Sequence, residues 1–509
     1  MKSLFLSDNH SLYLVRQFVL ILVLYVFFGS MAGYANNIKV TNVGIVSQNT
    51  SQNYSLIKFD LSWDHSWRRY SSPVNHDAAW IFIKYRRNVE NRWHHAKLHY
   101  VNGTGASDGH TVPTNGVLKS SNDNGGTANG VILYRSSYIT NATVNYNNIK
   151  LRWDYGANGL TDQDSIEVRV YAIEMVYIKA GYLYLGSGGN EYHHFYKRPT
   201  LTTTYQITSE NAISFGYSTG KLFTANTTNT LISYTIPSAY PKGYDAFYCM
   251  KYEISQGQYV DFLNSILPAA ATNRYAGKNG FNRNHITVSS SGAYSTSTAY
   301  IACNYLSWED IAAYLDWAAL RPMSEFEYEK ACRASQTPVA NEYAWGSSLI
   351  NISQFSYNNK LLGSSAESIT GGYSTSSGNA ALSNTIGTIP GGPLRCGIFA
   401  ANQSSTGRQT AGATYHGVME MSGNVSEFVV GIWHSEGRSF TGNHGDGNLS
   451  TDGNANTASW PTVNGVGRRG GSFSSSSSVL KVSYRGQCYS NTNVTYRSKE
   501  YGGRGVRSF

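Results

Sequence analysis

The chain has 509 residues, 41% of them hydrophobic and 13% aromatic, which excludes global disorder and leaves room for two or three domains. Only 14% are charged, while Gly (50) and Tyr (39) are abundant, a mix that suits a loop-rich β protein better than a helical one. The formal charge of +9 is scattered instead of massed in one basic tract, so nucleic acid is not an expected partner.

In chain order, the first element is an address. Lys2 and Arg16 flank a polar start, and "FVLILVLYVFFG" (Phe18 to Gly29) is too short for a membrane span but suits the core of a signal peptide. Gly33 and Ala35 are small residues at the −3 and −1 positions, so cleavage is expected before Asn36, with residues 1–35 removed. Nothing later is long and apolar enough to cross a bilayer. The mature protein is therefore expected to be exported, into a periplasm, onto a cell surface or outside the cell. Five cysteines (Cys249, Cys303, Cys332, Cys396, Cys488) would allow two disulfides with one thiol left over, and spacing does not choose the pairing.

Residues 36–170 read as strands. "LIKFDLSW", "AAWIFIKYR", "HHAKLHYV" and "NIKLRWDY" alternate or run short and apolar, with turn chemistry between them, which predicts a β-sandwich. Alternation places His95 and His99 on one face, as two metal ligands could arrive, with His94 beside them; hydrogen-bonded or solvated histidines are the commoner outcome. Trp63, Trp67, Trp80 and Trp93 could stack on sugars, although core packing is the usual fate of such a set.

From about residue 171 the grammar changes to short helices within irregular chain. Ser255 with Gln258, Ser307 with Asp310 and Ser324 with Glu327 each predict a capped helix start. Irregular chain at this density leaves backbone groups without ladder partners, so caps, ions, disulfides or buried side chains must hold them.

The phrases "MVYIKAGYLYLGS", "FYCMKYEISQGQYVDFLN", "YLSWEDIAAYLDWAALRPMSEFEYEKACR", "YAWG", "GVMEMSGNVSEFV", "RRGGSF", "SYRG" and "GGRGVRSF", in this order, resemble the formylglycine-generating enzyme family, or sulfatase-modifying factors. The resemblance covers residues 171–509. It implies an α+β, C-type-lectin-like fold with little regular secondary structure, preceded here by the all-β domain. In catalytic members two cysteine thiolates past "RGGS" hold copper(I), with which oxygen converts a sulfatase cysteine to formylglycine. Soft copper(I) needs sulfur. The family's cysteine positions fall at Ser475 and Leu480, while Ser472 matches the active-site serine, so no catalytic residue and no copper are expected. Cys488 would need a second thiol, such as Cys249 or Cys396, to restore a sulfur pair. The histidine-rich iron site of the related sulfoxide synthases has no counterpart, since no helical His-x3-His pattern occurs.

The resemblance also implies structural calcium on "EMSGNVSE", with carboxylates from Glu420 and Glu427 and carbonyls from Gly423 and Val425. Alternatively those carboxylates are solvated or pair with Arg468 or Arg469. The leading expectation is an exported, non-catalytic binding or assembly scaffold, whose partner is a cell-surface protein, a glycan or a second copy of itself. Relatives in bacterial export and gliding machinery support this by analogy. The alternatives are a formylglycine-generating oxidase with a displaced copper site, a carbohydrate-binding surface protein, and a modifying enzyme of another kind.

Overall fold

The computed structural model describes residues 37–101, 109–123, 125–358, 362–387, 390–488 and 493–509. Residues 1–35, where a signal peptide is expected, lie outside these residues. Among the described residues no helix is long and apolar enough to cross a membrane.

Two large sheets dominate the first third of the chain. One has the order β1 (Lys39–Asn49), β2 (Tyr54–Arg68), β9 (Ile139–Trp153), β5 (Leu98–His99), β7 (Thr127–Ala128). The other runs from β6 (Gly116–Lys119) through β8 (Val131–Arg135) and β3 (Asp77–Arg87), which also pairs β4 (His94–His95), to β10 (Ile166–Ile178). In β2 every second residue from Ser55 to Trp63 is buried, and Ile57, Phe59, Leu61 and Trp63 meet Ile81, Ile83 and Leu133 of the facing sheet. This period of two is what the alternating sequence encodes.

β3 departs from that pattern because both of its faces are covered. Ala79, Ile81, Ile83 and Tyr85 point into the core between the sheets, whereas Ala78, Trp80 and Phe82 join the core of the C-terminal region. There they meet Phe262, Tyr314 and Trp317, the last packed edge-on to Phe82 at 5.1 Å. A strand buried on both sides reads as an unbroken apolar run, as "AAWIFI" does.

The second sheet does not stop at β10. The strand Phe247–Met250 pairs with the C-terminal half of β10, and Val506–Ser508 adds itself beyond that. One sheet therefore runs from Gly116 to the end of the chain, and the boundary at residues 170 and 171 falls inside a strand.

The three capped starts appear at Gln256–Leu263, Trp308–Trp317 and Glu325–Arg333, each with both hydrogen bonds of the capping box. A fourth helix, Pro268–Arg274, starts on proline, which fits a first turn whose N–H has no partner in any case. With few helices among many short strands, the chain is α+β.

Trp63, Trp80 and Trp93 are buried, so they serve the core, and Trp67 is half-buried beneath Lys251. The expectation that His95 and His99 share a face is corrected. They lie on separate strands in different sheets, His95 bonded to the Asn129 carbonyl and His99 to Asp154 at 2.7 Å. Alternation counts only within one strand, and the chain changes sheets between them.

Trp80 joins the two regions: its indole N–H donates to the Ala318 carbonyl at 2.8 Å, and Arg507 lies 4.3 Å over its ring. Trp80→Ala is expected to cost about 3–5 kcal/mol in urea unfolding, with the wild-type near- and far-UV signals lost in one transition. A loss below about 1 kcal/mol, or two separated wild-type transitions, would contradict the shared core.

Candidate functional site

The phrase "RRGGSFSSSSSVL" begins as the strand Val466–Arg469, runs through a turn and ends in a single 3-10 turn, Ser477–Leu480. Ser472 is fully buried, and its hydroxyl lies 3.1 Å from that of Ser475. The Ser472 amide donates to the Ser475 hydroxyl and the Ser475 amide to the Ser472 carbonyl, both at 3.0 Å. These two serines close a turn on themselves. Ser474 donates to Glu500, so the first serines of the run are committed to the chain's own loops.

Leu480, where the resemblance places the family's second cysteine, is fully buried with Tyr343, Trp345, Ala380 and Leu382. The two aromatic rings stack with centroids 4.9 Å apart. Two glycines make room for it. A Cβ on Gly471 would stand 2.7 Å from one Leu480 methyl, and a Cβ on Gly423 would stand 3.2 Å from the other. The Ser422 hydroxyl donates to the Leu480 carbonyl at 2.8 Å and ties this turn to the "EMSGNVSE" loop. Hydrocarbon fills the space where a thiolate would face a metal. The copper donor set does not fit, because a protonated hydroxyl and a leucine offer no soft ligand.

All five cysteines are free and buried. Cys249, Cys332 and Cys488 share one apolar cluster, while Cys303 and Cys396 lie in two others. Burial pushes the Cys249 thiol up to about 12 and that of Cys488 up to about 11, and raises the other three as well. Such thiols stay protonated, which removes the anionic form that binds metals and attacks electrophiles.

The "EMSGNVSE" loop sits between the serine turn and the C-terminal segment. Glu420 takes a left-handed backbone (φ 56°), and its Oε1 accepts from the Gly397 amide at 2.8 Å. Burial raises its carboxyl to about 7 against the pull of Arg504. Gly423 is equally left-handed (φ 99°), and its amide donates to the Gly470 carbonyl at 2.9 Å. The Val425 amide donates to Glu253 at 3.0 Å, and the Asn424 side chain donates to the same carboxylate. Burial lifts the Glu253 carboxyl well above the usual range. Glu427 is the second residue of the strand Ser426–Val430, and both its oxygens are taken by Arg504, at 2.7 and 2.9 Å.

Of the four expected calcium donors, Glu427 has both oxygens on Arg504, whereas Glu420 Oε2 has no hydrogen-bond partner and the amide bonds of Gly423 and Val425 leave their carbonyls untouched, so calcium held by all four would have to displace the guanidinium. The ion needs free oxygens converging on one point, and the carboxylate best placed to give two already faces a guanidinium. Among the described residues no group of three or more His, Cys, Asp or Glu side chains is arranged to hold a metal ion.

The alternative pairing of these carboxylates with Arg468 or Arg469 is corrected, since Glu427 pairs with Arg504 instead. Arg469 bonds Glu329 at 2.8 Å and Glu325 at 3.3 Å, and Arg468 lies 3.8 Å over the Tyr501 ring. Sequence reasoning treated Arg504 only as part of a closing phrase. It also missed Arg333 and Arg485, which pair with the buried helix carboxylates Glu329 and Glu325 and with Glu342 in the loop that follows. The only local signal was an acidic helix, "SEFEYEKACR", too charged to be buried without such partners.

The family model described as a sulfatase-modifying factor enzyme 1-like domain matches residues 167–509. No curated protein matches the chain.

Native protein is expected to give almost no reaction with a thiol-specific disulfide reagent over minutes, and to release five equivalents once unfolded. Rapid native reaction of two thiols would show an accessible pair, and fewer than five after unfolding would show a disulfide.

Proposed function

The chain belongs to the sulfatase-modifying factor family through residues 167–509, and on that premise we propose that it is an exported, non-catalytic scaffold for binding or assembly. In this reading the family domain keeps a C-type-lectin-like frame and has given up the oxidase chemistry. The observation that carries it is Leu480. Where the resemblance places a cysteine, a buried leucine packs beside two stacked aromatic rings, with glycines on either side spaced to accept it. The first cysteine position, Ser475, spends its hydroxyl on Ser472. Restoring a copper(I) site would take a second sulfur and an open approach, and burial opposes both.

The fused N-terminal sheets support a role in presentation. They are joined to the family domain through a continuous sheet and a common core, so a partner that docks on either region meets a rigid body. A cell-surface protein, a glycan or a second copy suits an exported chain that is rich in Tyr and Gly and poor in charge. The N-terminal address, residues 1–35, belongs to the same reading, with cleavage before Asn36 delivering the mature protein outside the cytoplasm.

The test is direct. Reduced full-length protein, incubated with copper(I), oxygen and a cysteine-containing sulfatase peptide, is expected to yield no aldehyde above the protein-free control. Aldehyde formed in repeated turnovers would overturn the reading in favour of an oxidase with a displaced site.

A further inference from the structure

Arg504 is fully buried, and its guanidinium has five N–H groups to satisfy. Nε donates to Glu427 Oε2 at 2.9 Å. Nη2 donates to Glu427 Oε1 at 2.7 Å and to the Met419 carbonyl at 2.8 Å. Nη1 donates to the Met250 and Lys251 carbonyls at 3.1 and 3.3 Å. Five donors thus meet five oxygens. Other buried arginines are less completely served, since Arg274, Arg321, Arg469 and Arg507 each leave at least one guanidinium nitrogen without a partner.

The five oxygens come from two stretches remote in sequence. Met419 precedes the "EMSGNVSE" loop and Glu427 ends it, while Met250 ends the strand that extends the large sheet and Lys251 follows it. One carboxylate and three main-chain carbonyls around a single point form the kind of cage that holds a hard cation. Leaving that cage empty would strand a buried carboxylate, so a cation is required there.

We infer that Arg504 is the built-in cation of this loop, its guanidinium neutralising Glu427 and pinning the loop to the sheet in the role a calcium ion would otherwise fill. A planar guanidinium suits this cage because its fork matches the carboxylate edge while its outer hydrogens reach the carbonyls. Lysine in its place has three donors on a flexible stem and would leave acceptors unmet.

The experiment uses the full chain. Calcium content is measured by atomic emission after dialysis against millimolar calcium chloride, and thermal midpoints are compared in millimolar calcium and in excess EDTA. The expected result is substoichiometric calcium and midpoints that agree to within about 1 °C, since an ion that does not bind adds no stability. Arg504→Lys is expected to lower the midpoint by several degrees and Arg504→Met by more, roughly in proportion to the bonds lost. A wild-type midpoint raised by calcium, with the rise abolished in Glu420→Gln, would overturn the inference. A rise that persists in Glu420→Gln would place the ion elsewhere and leave Arg504 as this loop's cation. An Arg504→Lys or Arg504→Met protein as stable as wild type would also overturn it. Should Arg504→Met fail to fold, Arg504→Lys and the wild-type calcium comparison still decide.

Discussion

A single strand belongs to two regions of this chain at once. β10 is hydrogen-bonded along its length to β3 and over its last residues to Phe247–Met250. Its side chains are shared out among separate cores, with Val170 between the two N-terminal sheets, Ile173 and Met175 against the helices, and Val176 and Ile178 beside the thiol cluster. Neither region can complete its packing without this strand, so the placement of everything downstream depends on it.

Buried charge reinforces the junction. Lys251, at the end of the strand beside β10, reaches Glu174 at 2.9 Å and Asp77 at 3.8 Å, and all three are nearly inaccessible. Asp77 also accepts from the Trp63 indole and the Ser66 hydroxyl, both at 2.8 Å. Burial works against the lysine's charge, and the two carboxylates overcome it, holding its pKa above the ordinary lysine range. Such a network contributes little net stability compared with a hydrophobic replacement, but breaking it strands a charge, so it selects one arrangement of the two regions. Lys251 also gives its carbonyl to Arg504, so the junction and the loop's cation meet at a single residue.

Local features were legible from the residues alone. Each capping box is a four-residue signal, and all three helices begin where the serines place them. β2 alternates as its sequence does, and β3 is buried on both faces as its apolar run implies. The family phrases led to a domain that the family model also finds, from residue 167. Long-range partnerships were not legible. Glu427 and Arg504 are separated by 77 positions, and Lys251 and Glu174 by a similar stretch. No spacing rule relates such residues, because the fold alone brings them together. His95 and His99 failed for the opposite reason, since a local rule was carried across a change of strand.

The account as a whole turns on the absence of accessible sulfur beside the serine turn, where the family's chemistry resides. The most direct measurement is a titration of the reduced, folded chain with copper(I) against a colorimetric chelator of known affinity. The account predicts that the chelator keeps the metal at every ratio, as it would with no protein present. Stoichiometric transfer of copper(I) to the folded chain would contradict it.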